Sequence, residues 1–71
     1  MYIRTQDEKT VFNFSYFVYI SCNELGEVFI GIEGGKGLLL GKYKTVERAK
    51  EVLEDIYINL DISSRYDMPI V

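Results

Sequence analysis

Seventy-one residues, 48% of them hydrophobic and 27% charged, describe one small globular domain and exclude a disordered chain. A single cysteine and no histidine rule out an internal disulfide and a structural zinc site, so oligomerisation is the remaining common way to reinforce so small a core. The net charge of −3, from eleven acidic and eight basic residues, argues against a broad phosphate-binding surface.

The chain opens on Tyr2 to Thr5, a short strand, followed by the polar break Gln6-Asp7-Glu8-Lys9 with turn character. This opening is too polar for a signal peptide. The longest strongly apolar stretch, Phe14 to Cys22, is too short to cross a membrane. With one free cysteine, these features lead to the expectation of a cytoplasmic protein. Thr10 to Ser15 alternates, with Phe12 and Phe14 on one side, and period two is the strand signal. Phe17 to Cys22 is β-branched and aromatic, a second strand. Asn23-Glu24-Leu25-Gly26 is a hairpin loop whose glycine stands where positive φ is often needed. Glu27 to Glu33 alternates again, Gly34-Gly35-Lys36-Gly37 turns, and Leu38 to Tyr43 supplies the next strand. Connections this short make antiparallel neighbours.

At Val46 the period changes. Val46, Ala49, Val52, Leu53, Ile56, Tyr57 and Leu60 recur at three and four and fill one side of a helix. Thr45 is a good N-cap, and Glu47 suits the positive end of the helix dipole. Lys50 and Glu54 form an i,i+4 pair in the less favourable order. Asp61 to Val71 reads as a tail, with Pro69 barring further helix. The expected fold class is therefore α+β in a single domain. Residues 1–43 form an antiparallel β-meander of four to five strands, packed against one C-terminal amphipathic helix over 45–60, with a tail over 61–71.

Chemistry finds little support in the chain. The glycines around Lys36 fail the Walker spacing: Ile30 stands where the first glycine belongs, Gly37 where the hydroxyl belongs, and a strand follows instead of a helix. Without histidine the commonest general base is absent. Cys22 has no imidazole partner and ends an apolar strand, which reads as packing rather than nucleophilic chemistry. Asn23, Glu24 and Glu27 do not form the alternating oxygen-ligand loop of a calcium site. The expectation is a protein that is not an enzyme and takes no cofactor or metal.

Two surfaces point to binding instead. Glu47, Glu51, Glu54 and Asp55 gather on the outer side of the helix with Ile58 among them. The plain reading is a solvated face; the functional one is a patch that resembles nucleic-acid phosphates and enters a basic groove on a partner. Five of the eight residues from Phe12 to Tyr19 are aromatic. If Phe12, Phe14, Val18, Ile20, Val28, Ile30 and Ile32 face the helix, then Phe17, Tyr19, Phe29, Leu39 and Tyr43 lie on the opposite side of the sheet. So apolar a face needs cover. A homo-oligomer, dimer first, a partner protein, and a base-stacking platform for single-stranded nucleic acid all provide it. The last needs flanking cations, and only Lys36, Lys42 and Lys44 are near.

The opening Tyr2-Ile3-Arg4-Thr5-Gln6-Asp7-Glu8-Lys9-Thr10-Val11 resembles that of a widespread group of small uncharacterised proteins from phages and prophages of Gram-positive bacteria. Leu40-Gly41-Lys42-Tyr43-Lys44-Thr45, Glu47-Arg48-Ala49, Val52-Leu53-Glu54-Asp55-Ile56 and the ending Tyr66-Asp67-Met68-Pro69 extend the resemblance to roughly half the chain. Thr5 stands where the group usually has serine. The resemblance implies a phage or prophage origin and a sheet-plus-helix fold, and brings no catalytic residues. It implies a place in the bacterial host cytoplasm and a non-catalytic accessory role. Small acidic phage proteins of this size include inhibitors of bacterial defence such as anti-CRISPR proteins, so origin and size lead to the expectation that the protein binds a host protein, such as a nucleic-acid-binding defence protein. The strand-rich body with a C-terminal helix also looks like the layout of coactivator-type single-stranded-DNA binders, which are homodimers. A purely structural homo-oligomer is the third reading.

Overall fold

The computed structural model describes residues 1–14, 19–31 and 37–71. In chain order its elements are β1 (Tyr2–Arg4), β2 (Val11–Asn13), β3 (Tyr19–Cys22), β4 (Glu27–Gly31), β5 (Leu38–Lys42), α1 (Val46–Asn59) and β6 (Arg65–Asp67). The class is α+β, with antiparallel hairpins and one C-terminal helix. The strands do not make one meander. They form two three-stranded sheets, ordered β2-β1-β6 and β3-β4-β5.

Local chemistry explains each turn. Between β1 and β2 the Thr5 hydroxyl donates to Asp7 Oδ1 at 2.6 Å and accepts from the Thr10 amide at 3.2 Å. Asp7 Oδ1 also accepts from the Lys9 amide, and Glu8 takes a left-handed φ of 64° to close the loop. Between β3 and β4, Asn23 Oδ1 accepts from the amides of Leu25 and Glu27, and Gly26 turns the chain at φ 80°. The Gly26 carbonyl then accepts from the Tyr43 amide at 2.8 Å. Side chains that gather backbone donors in this way stand in for a regular turn.

Residues 61–71 are not a tail. Arg65–Asp67 pairs in parallel with β1, placing Tyr66 beside Ile3 and Asp67 beside Arg4. A parallel pair needs a long crossover, and the rest of the chain, helix included, supplies it. Arg65, Tyr66, Asp67 and Met68 alternate out, in, out, in, a period-two signal only four residues long. Beyond β6 the chain stays docked. The Tyr43 hydroxyl donates to the Pro69 carbonyl at 2.8 Å and Gln6 Nε2 to the Ile70 carbonyl at 2.7 Å. Arg48 Nε and Nη2 both donate to the Val71 carbonyl.

The core lies between the two sheets and the helix: Ile3, Val28, Ile30, Leu40, Tyr43, Ala49, Val52, Ile56, Tyr66 and Met68, with Phe12, Phe14, Ile20 and Cys22 packed at its margin. Val18 and Ile32, expected here, lie outside the described residues. The helix spans Val46–Asn59 with Thr45 as N-cap, whose hydroxyl accepts from the Arg48 amide. It packs on β3 and β4. Tyr57, expected on the buried side, is 69% exposed; it lies toward the edge of the apolar arc rather than within it.

Candidate interaction surface

At 100° per residue, Glu47, Glu51, Glu54 and Ile58 fall within about 60° of one another, opposite Ala49, Val52 and Ile56. All four are exposed, Ile58 by 56%. Among the described residues the ion pairs are Arg4–Asp67 and Arg48–Glu51, the latter at 3.6 Å. Glu47 and Glu54 therefore project without an ion-pair partner among the described residues.

Asp55 differs from its neighbours. Its Oδ2 accepts a 2.6 Å hydrogen bond from the Tyr66 hydroxyl. Burial, then this bond and the carboxylate charge, push the Tyr66 phenol well above its ordinary pKa, so it stays a donor at any physiological pH. Asp55 lies at the flank of the stripe and anchors the helix to β6, which separates it from the four residues of the outer stripe.

Beside the stripe runs an apolar groove of about 430 Å³, lined by Phe14, Tyr19, Ile20, Leu53, Ile56, Tyr57 and Leu60, with Glu54 as its charged wall. The groove lies between the C-terminal half of the helix and Phe14, Tyr19 and Ile20 at the β3 edge of the second sheet. Tyr57 stands at its rim, so its exposed ring and the groove are one feature.

The expected sheet face is partly corrected. Tyr19 and Leu39 are exposed, Leu39 by 52%, and Phe29 is half-buried. Tyr19 and Phe29 meet edge to face with centroids 6.4 Å apart. The Tyr19 ring lies over Gly31 where a Cβ would stand. Phe17 lies outside the described residues. Tyr43 does not belong to this face: it is 4% exposed and sits in the core. The reason is a bulge in β5. Val28 opposes Gly41 while Phe29 opposes Leu39, so Leu40 is an extra residue. Leu40 and Gly41 are both buried, the alternation shifts by one, and Tyr43 turns inward. There burial raises its phenol pKa, and Arg48 stacks over the ring at 5.9 Å.

The chain matches no family model, no curated protein and no solved structure. Its surfaces are therefore read from their own chemistry. No helix among the described residues is long and apolar enough to cross a membrane. No three His, Cys, Asp or Glu side chains among them gather as a metal site. Cys22 is half-buried against the core. Every buried side-chain polar atom among the described residues has a hydrogen-bond partner. Gln6 is the residue the sequence did not single out: its backbone amide donates to the Leu40 carbonyl and its Oε1 accepts from the Lys42 amide, so it occupies the open edge of β5.

Proposed function

We propose that the protein acts without catalysis, as a phage or prophage accessory protein that binds a host protein and inhibits bacterial defence. The observation that carries this reading is the apolar groove beside α1, with Glu54 in its wall and the acidic outer stripe of the helix next to it. An apolar slot of this size accepts one or two side chains of a partner. Glu54 in the groove wall, with Glu47 and Glu51 along the same outer stripe of the helix, makes the adjoining surface acidic, which favours a basic partner such as a nucleic-acid-binding protein and speeds its encounter. Ile58 and Tyr57 add exposed apolar contact beside it.

A triple variant, E47K/E51K/E54K, reverses the charge of the stripe while replacing no buried residue. A second variant, Leu53→Arg, blocks the groove. Affinity capture from host lysate, with each variant beside the wild type, is the test. Loss of the same specific partner with both variants supports the reading, and equal recovery with all three removes this surface from it. Single-stranded oligonucleotide binding by fluorescence anisotropy at low salt, where the electrostatic contribution is largest, separates the competing class. Tight oligonucleotide binding would replace protein inhibition with nucleic-acid recognition.

A further inference from the structure

We propose that a second copy of this chain covers the outer face of the β3-β4-β5 sheet, making a two-fold dimer. Val28 and Ile30 point into the core, so Glu27 and Phe29 of β4 point away from it. Leu39 and Lys42 of β5 are exposed on the same side, directly opposite Phe29 and Glu27 in the register. Glu27, Phe29 and Leu39 together line a shallow hollow. The face therefore has an apolar centre, extended by the Tyr19 ring against Phe29, and one acid level with one base at its end.

That pattern complements itself. A two-fold axis along the strands, midway between β4 and β5, preserves height and exchanges the two strands. Phe29 then meets Leu39 of the partner subunit, and Glu27 meets Lys42 of the partner subunit, twice over by symmetry. An isologous contact requires each feature to meet its complement, and few arrangements of one acid and one base satisfy it. Neither Glu27 nor Lys42 enters an ion pair within its own chain among the described residues, although the register sets them opposite each other. The alternative route, edge to edge along β5, is obstructed because Gln6 already holds the Leu40 carbonyl and the Lys42 amide. Three short strands spaced about 4.8 Å apart offer less than the roughly 800 Å² per partner of a standard interface, so the dimer exchanges and depends on concentration.

The test uses purified protein alone, so its outcome is independent of host-partner capture. Sedimentation equilibrium should show a reversible monomer–dimer equilibrium for the wild type. Lys42→Glu and Glu27→Lys should each weaken it, by about tenfold or more at low salt, because each places like charges together twice. Mixed in equal amounts, these two variants should recover a heterodimer, since all four facing charges are then complementary. Circular dichroism confirms that each variant is folded; if Glu27→Lys is not, because Asn23 Nδ2 donates to Glu27 Oε1, Leu39→Glu takes its place and should give a monomer. A wild type that remains monomeric up to roughly 1 mM, where even a millimolar complex is well populated, overturns the proposal. So does a dimer that neither charge reversal weakens, or one that mixing fails to restore.

Discussion

At φ 80°, and with the Tyr43 carbonyl oxygen too close to leave room for a Cβ, Gly26 meets two separate demands. A side chain there is disfavoured by backbone conformation and also collides with the backbone just after β5, which the Gly26 carbonyl itself holds through the Tyr43 amide. Left-handed backbone alone costs an L-residue about 1–2 kcal/mol. Gly26→Ala should therefore lower stability by about 2 kcal/mol or more, read by urea denaturation. Gly26→Asn divides the two causes: asparagine tolerates the left-handed region, so a comparable loss assigns the effect to the collision, whereas near-neutrality assigns it to φ. The Asp55–Tyr66 bond offers a second test at this scale. Asp55 is exposed and can rehydrate, so Tyr66→Phe and Asp55→Ala should each cost about 1 kcal/mol, and the double variant should cost little more than either alone. Fully additive losses would free Asp55 to be counted again with the outer stripe.

Elements are where the sequence spoke most clearly. The helix was legible because fourteen residues repeat its period, and Thr45 was legible as its cap because a hydroxyl before a periodic run has one common use. Thr45→Ala should cost about 1 kcal/mol, and Thr45→Ser should be nearly neutral because the acceptor to the Arg48 amide is kept; thermal melts of the three proteins decide it. Strand positions were legible wherever polar and apolar residues alternate, as at Val28 and Ile30. Two features were hidden for physical reasons. The β5 bulge leaves no local mark, because Leu39, Leu40 and Gly41 satisfy either register, and so Tyr43 reads as an outward residue although it is core. The strand β6 is three residues long, and its partner is at the far end of the chain, so neither period nor proximity announces it. The split into two sheets follows from the same fact: β1 pairs with β2 and β6, not with β3. The acidic stripe was legible from helical periodicity, but the groove beside it was not, because it is formed by Phe14 after β2, by β3 and by the helix together.

A radius of gyration of 11.1 Å matches the roughly 11 Å expected of a folded chain of this length, so the whole molecule depends on a small core and on contacts that tie its ends together. The first strand and the last are joined by Arg4 and Asp67, whose Nε–Oδ1 and Nη2–Oδ2 separations are both 3.2 Å. The Arg4 guanidinium holds the Asp67 carboxyl below the usual carboxylate range. In the first turn, the Thr5 hydroxyl and then the Lys9 amide hold Asp7 below it as well. Both groups have depressed pKa values in the folded chain, so their ionisation favours folding. That stabilisation is complete above the unfolded value of about 3.9 and is lost as pH falls through the lower folded values. Thermal midpoints should accordingly hold steady from neutrality down to about pH 4 and decline below it. Asp67→Asn should melt lower than wild type at neutral pH, with a shallower decline in acid because one of the two linked protons is gone. Salt distinguishes the two contributions: the exposed Arg4–Asp67 pair is screened at high ionic strength, whereas the Thr5–Asp7 hydrogen bond is not an ion pair and keeps its share. The acid slope of wild type should therefore flatten toward that of Asp67→Asn as salt is raised, and Asp7→Asn should remove most of what remains. An acid slope that is identical in wild type and both variants would place the acid sensitivity of this fold elsewhere than at its joined ends.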